Sequence, residues 1–237
     1  MPQITDPPPA LSIHVLGTPL VRIGEQVAHF RTRKALALLC YLALEGPQTQ
    51  DALLELFWPD TLGSGSLRTA ALHLRQALGP HAWRLKTRWC NLAFEQEGVT
   101  LDAATLSTLD AASVLRGQHG EFLAGLYLRG NAVWDDYLSE RGEALRAEYD
   151  RRLAELTEQA LHYGDAAQAL ALATRRTELD PFSETACLQR VQALQAAGLG
   201  HRVQSVWAAF SQRFEREFGP LPSAPVPWFS PFSSALA

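Results

Sequence analysis

Apolar positions recur along this chain in two periods, short near the start and long thereafter. Leu11, Ile13 and Val15 alternate with Ser12, His14 and Leu16, residues 17–19 break the run, and residues 20–23 and 27–30 resume it around a Gly24-Glu25 turn. Alternation punctuated by turn residues predicts a small antiparallel sheet. From Thr32 the period becomes helical. Thr32 is placed to cap a first helix that runs to Leu44, is apolar nearly all round and stops at Gly46-Pro47. Thr49 caps a second, with Asp51 in its first turn, Leu53, Leu54, Phe57 and Trp58 on its buried side, and Pro59 closing it. A third starts near Ser64 or Ser66 and ends at Gly79-Pro80. Its buried stripe is Leu67, Ala71, Leu74 and Leu78, at spacings of 4, 3 and 4. The other side carries Arg68, Thr69, Leu72, His73, Arg75 and Gln76, and no acidic residue. Next comes WRLKTRWCNLAF, which reads as a hairpin with Trp83, Leu85, Leu92 and Phe94 alternating and Lys86 and Arg88 at or near its tip.

Beyond Thr105 the strand pattern is lost and helical periodicity continues to about Phe218. One stripe joins Trp134, Leu138, Gly142, Leu145, Tyr149, Leu153, Leu156, Ala160 and Tyr163 at spacings of 3 or 4, with Asp135 as the expected cap. A repeat follows. Gly164 and Gly198 lie 34 positions apart, each before a helix, and Leu153 and Ala160 stand 34 positions before Cys187 and Leu194. Paired helices at that period are the mark of tetratricopeptide repeats. Two units are too few for a free-standing solenoid, so the upstream helices must complete the core. The expected organisation is a disordered N-terminus over 1–10, a winged helix-turn-helix over 11–97, an all-α tetratricopeptide-like domain over 98–222 and a Pro/Ser-rich tail over 223–237. Trp228, Phe229 and Phe232 of the tail are expected to pack back on the helical domain.

Composition refines this picture. Net charge is −4, which alone argues against nucleic acid, but it is unevenly spread. Residues 1–100 hold nine basic and eight acidic side chains, residues 101–237 twelve and seventeen, and residues 28–90 eight and four. A basic module joined to an acidic one fits a chain of which one half faces an anion. Three scattered cysteines with no CxxC favour reduced thiols and a cytoplasmic setting over disulfides or zinc. No apolar run approaches the roughly 18 residues of a membrane span, so no membrane partner is expected. GxxxxGK[ST], GxGxxG and HExxH are absent. Asp135 and Asp136 are adjacent, pointing about 100° apart on a helix, which is wrong for paired catalytic carboxylates. Gly63 to Ser66 lacks the lysine of a phosphate cradle. The chain is therefore read as a non-enzyme with no cofactor and no metal.

Two short helices joined by a turn, an acid-free outer face on the second and a basic hairpin after it predict a winged helix-turn-helix that reads double-stranded DNA. Base contacts are expected from Arg68, Thr69, Leu72, His73 and Gln76, opposite the buried stripe. Phosphate contacts are expected from Arg31, Arg33, Lys34, Lys86 and Arg88; Arg75, next to core Leu74, suits a phosphate or an intradomain ion pair. The strings LSIHVLG, RKALALLCYLAL, DALLELFWPD, LRTAALHLRQALG, GEFLAGL, WDDYLSERGEALRAEYDRRLAEL, GDAAQALALATRRTELDPFSE and FEREFGPLPS together resemble the Streptomyces antibiotic regulatory protein (SARP) family, from about Leu11 to Pro222. The resemblance implies a response-regulator-type winged helix followed by a bacterial transcriptional activator domain. It also implies head-to-tail dimers on direct repeats and contact with RNA polymerase. Leu72 and His73 depart from the arginine-rich recognition helix of that family, and KTRWCNL from its glycine-tyrosine wing turn. The alternative is a protein-interaction adaptor whose winged helix has lost DNA binding and whose helical groove holds a peptide.

Overall fold

The computed structural model describes residues 9–60, 65–117 and 120–220. The described chain forms two compact units, one from residues up to 109 with 116–149, the other from 110–115 with 150 onward. The boundary expected at 97–98 falls inside the first unit. The proline-rich tail, the Gly63-Ser64 turn and the first eight residues lie outside the described residues.

In the first unit, β1 (Leu11–His14), β2 (Leu20–Ile23) and β3 (Gln26–Val27) form the antiparallel meander that alternation predicts. Leu11, Ile13, Val15 and Val21 point into the core. Helix α1 (Arg33–Glu45) opens on Thr32, whose side chain accepts the Ala35 N–H. It buries seven side chains, Cys40 among them, whose thiol burial pushes up to about 12. A short β4 (Gln48–Thr49) leads into α2 (Gln50–Phe57), capped by Thr49 through the Ala52 N–H. Leu53, Leu56 and Phe57 are its buried residues. Leu54 and Trp58 are only half-buried. The helix ends at Phe57, so Trp58 leaves the helical phase (φ −142°) and lies tilted against the Phe57 ring, 5.8 Å between centroids.

Helix α3 (Gly65–Leu78) buries Leu67, Ala70, Ala71, Leu74 and Leu78. A tight helical turn over Gly79–Arg84 follows, then β5 (Leu85–Arg88) and β6 (Asn91–Phe94). Trp83 falls in that turn and not in the hairpin; it is exposed and stacks on the Arg84 guanidinium at 4.6 Å. β4, β6 and β5 make a three-stranded sheet in that order. β7 (Val99–Leu101) returns to lie parallel to β1 and completes a sheet of order β3-β2-β1-β7. Just beyond it the Asp102 carboxylate accepts N–H groups from Val15 (2.9 Å), Leu16 (3.1 Å) and Ala103 (2.8 Å), satisfying amides left over where β1 ends.

After the short α4 (Ala111–Arg116), α5 (Ala132–His162) begins in the first unit and continues through the second. Its cap is Asn131, not Asp135: the helix starts at Ala132, so Asn131 Oδ1 reaches the Trp134 N–H at 3.0 Å. The same amide donates to Leu56 O at 2.8 Å, tying the end of α2 to the start of α5. Phe57, Trp134, Tyr137 and Tyr41 form an aromatic cluster, with centroid distances of 5.0–5.8 Å. Tyr137 donates to Glu45, which also pairs with Arg141 at 3.0 Å; burial drives the Tyr137 phenol far above its ordinary value.

In the second unit α6 (Ala166–Leu179), α7 (Glu184–Ala196) and α8 (Val203–Phe218) follow the 34-residue spacing. Gly164 and Gly198 occupy equivalent left-handed positions, φ 76° and 71°. Leu153, Ala160, Cys187 and Leu194 are all buried. Tyr163, expected on the buried stripe, is exposed because α5 ends one residue before it. The unit is pinned by buried Arg176, which donates to both oxygens of Asp150 (2.7 and 2.9 Å), to Gln189 (2.8 Å) and to Thr185 (3.2 Å). Removing one member of such a network strands the rest and typically costs about 3–5 kcal/mol.

Candidate nucleic-acid interface

Helix phase decides what α3 presents. At about 100° per residue, the buried residues centre near Leu67 and Leu74, and Thr69, Leu72 and Gln76 lie most nearly opposite. All three are exposed, as is Arg68. Arg68 and Arg75 share one flank and His73 lies on the other. His73 is half-buried, with Nδ1 shielded and without a partner among the described residues, so it is not the outward side chain expected from the sequence. The Thr69 hydroxyl donates back to Gly65 O at 3.0 Å, leaving its methyl and lone pairs to face outward.

The Arg68–Arg75 flank meets the β5–β6 hairpin. Arg75 donates to Leu85 O and to the Thr87 hydroxyl, both at 3.2 Å. Of its two expected roles the structure displays an intradomain one, a tether between α3 and the wing made by hydrogen bonds. Gln50, Leu67, Arg68, Ala71, Arg75, Thr87 and Leu92 line a groove of about 290 Å³ between helix and hairpin. The hairpin is braced from its other side, where Gln50 N–H donates to Cys90 O at 2.7 Å and β4 pairs with β6.

The expected phosphate ligands divide in two. Arg31 and Arg88 are exposed, and their side chains make no hydrogen bond or ion pair among the described residues, although the Arg88 charge helps hold the Glu95 carboxyl down. The others have partners inside the unit. Lys34 donates to Phe57 O at 2.6 Å, capping the negative end of α2, and lies 4.8 Å from the Trp58 ring centre. Burial lowers its pKa. Arg33 reaches Tyr127 O at 3.4 Å. Lys86 pairs with Glu95, whose carboxyl that bond holds below its ordinary range.

Trp89 escaped the sequence reading. It occupies the first position of the two-residue turn between Arg88 and Asn91, which face each other across the strands. There it has φ 53° and is 99% exposed. Hairpin turns of this length take a positive φ at that position and so prefer Gly, Asn or Asp. A bulky residue held there costs about 1–3 kcal/mol. The place of Trp89 at the tip of the hairpin, between Arg88 and Asn91, is the one feature of the sequence that marks it.

Among the described residues no helix is long and apolar enough to cross a membrane. No family model matches the sequence, and no curated protein matches it. Its fold is similar to that of Mycobacterium tuberculosis EmbR in complex with a low-affinity phosphopeptide, with TM-score 0.68 at 18% identity, over 90% of this chain and 62% of that one. The chain thus spans less than two thirds of that protein's length. The structure has the same arrangement as EmbR, a winged helix with a small sheet followed by a helical domain.

Proposed function

We propose that this chain is a sequence-specific DNA-binding transcriptional regulator of the SARP type, an activator that pairs on direct repeats near a bacterial promoter, contacts RNA polymerase and works in the cytoplasm. The observation that carries this reading is the exposed, acid-free face of α3 beside a braced hairpin. Arg68, Thr69, Leu72 and Gln76 project together from a helix whose opposite side is locked in the core. A rigid helix offering a guanidinium, a methyl, an isobutyl group and an amide has the chemistry to read major-groove edges. His73 joins as a flank contact. Arg31 and Arg88 supply free charge for phosphates, and Arg33, Lys34, Arg75 and Lys86 contribute by holding the scaffold and its field. The fold shared with EmbR, a SARP-family regulator, supports the assignment.

The adaptor reading rests on one feature of the second unit, a groove of about 600 Å³ lined by Phe182, Cys187, Arg190, Val206, Phe210 and Arg213 among others. Selection of sites by the whole chain from a random duplex pool at low salt separates the two. A recovered motif containing repeats is the expected result. No enrichment over the input pool would overturn the regulator and favour the adaptor.

A further inference from the structure

Each of the other described tryptophans has an intramolecular partner. Trp134 and Trp207 are buried, Trp58 lies on Phe57 under Lys34, and Trp83 stacks on Arg84. Trp89 has no such partner among the described residues: it is 99% exposed and its backbone is held at a positive φ. A bulky residue held on a positive-φ backbone is strained, and strain of this kind points to function.

The surroundings decide what covers it. Thr87, Arg88, Cys90 and Asn91 are all exposed; Glu95, at the base of the hairpin, takes up the charge of Lys86, and Arg88 is left as the unpaired cation at the tip. A protein hot spot would show the indole within an apolar patch that excludes water; here the ring stands alone on a polar, positively charged tip. The tip is also stiff. Arg75 holds β5, and the Gln50 N–H holds the Cys90 carbonyl on the far side of the turn. A flat aromatic on a rigid cationic finger, beside a helix suited to the major groove, matches the next minor groove. Proteins that bind there push apolar side chains between base pairs and bend the duplex.

We propose that Trp89 is a wedge that enters the minor groove flanking the α3 site, unstacks one base step and bends the DNA, with Arg88 anchoring the adjacent phosphate. This rests on the DNA-binding reading above. Flexible pyrimidine–purine steps accept such a wedge most readily, so Trp89 selects sequence at a position it reads only through deformability.

The test uses the whole chain on its selected duplex. Affinity, bending (energy transfer between labelled duplex ends) and permanganate reactivity of thymines under the wing are compared for the parent, Trp89→Phe, Trp89→Ala and Trp89→Gly. The parent should bend the site and expose a thymine. Trp89→Phe should keep both. Trp89→Ala and Trp89→Gly should lose bending and reactivity, and about ten-fold in affinity, while selecting the same α3 motif. Trp89→Gly, freed of the backbone strain, should melt no lower than the parent, which separates the effect from misfolding. Unchanged bending in Trp89→Ala, or a parent that binds without bending or unstacking, would overturn the wedge and leave DNA binding standing. Failure of the parent to select any motif would remove both.

Discussion

On the proposed DNA-binding reading, Arg68 is the residue on which base reading most depends. It is exposed and unpaired among the described residues, on the flank of α3 that faces the wing. Arg68→Ala should therefore cost about 1–3 kcal/mol on the preferred site and relax one base position, with stability within about 0.5 kcal/mol of the parent. Competition against single-base variants of the site checks this, and an equal loss on every sequence would reduce Arg68 to a phosphate ligand. The two wing cations make a sharper contrast. Arg88 makes no ion pair and feels Glu95 only through space, whereas Lys86 is bound to it directly. Arg88→Ala should lower the salt dependence of binding by about 0.9 in log–log slope. Lys86→Ala should lower it by clearly less. Titrations of each variant at several salt concentrations would reveal equal slopes if the Glu95 pair opens on DNA.

At the scale of elements, the core stripe of α3 sets the position of everything outside it. Leu74 is fully buried at the centre of that stripe. Leu74→Ala should destabilise the first unit by about 2–5 kcal/mol, measured by thermal or urea unfolding. Melting like the parent would mean the helix phase, and so the outward set, is misassigned. This phase was legible in the sequence because a 3.6-residue period repeated over four turns leaves one solution. The caps Thr32 and Thr49 were legible too, since a hydroxyl before a helical run has few other uses. What escaped was decided by contacts distant in sequence. β7 has three residues and is a strand only because β1 offers an edge. His73 is half-buried on the flank of α3, and Lys34 spends its charge on the α2 carbonyl end. Charge counting cannot see such partners, which is why Arg31, Arg33, Lys34, Lys86 and Arg88 read alike as phosphate ligands although only Arg31 and Arg88 lack a side-chain partner among the described residues.

At the scale of the molecule, the first unit extends well past the hairpin. β7, the Asp102 clamp, the Asn131 bridge to Leu56 and the Trp134–Tyr137 cluster all belong to it. A fragment ending near residue 149 should fold cooperatively, with a weak, salt-sensitive preference for the whole chain's site. One ending near residue 96 should not, because it removes an edge strand and uncovers Phe57. Calorimetry of both fragments is the check; a sharp transition in the shorter one would show that the extra segment is dispensable.

If the chain reads DNA as proposed, the bond from Arg75 to the wing also constrains the geometry of the target. It makes helix and hairpin a ruler of fixed length. On a duplex each added base pair advances the site by about 3.4 Å and roughly a tenth of a turn. One extra base pair between the block read by α3 and the step beneath Trp89 would carry that step out from under the wing. The spacer should thus be as strictly specified as the letters on either side of it, although no side chain reads it. Arg75→Ala should blur that length, so that sites selected by the variant keep both blocks but tolerate spacers one base pair longer or shorter.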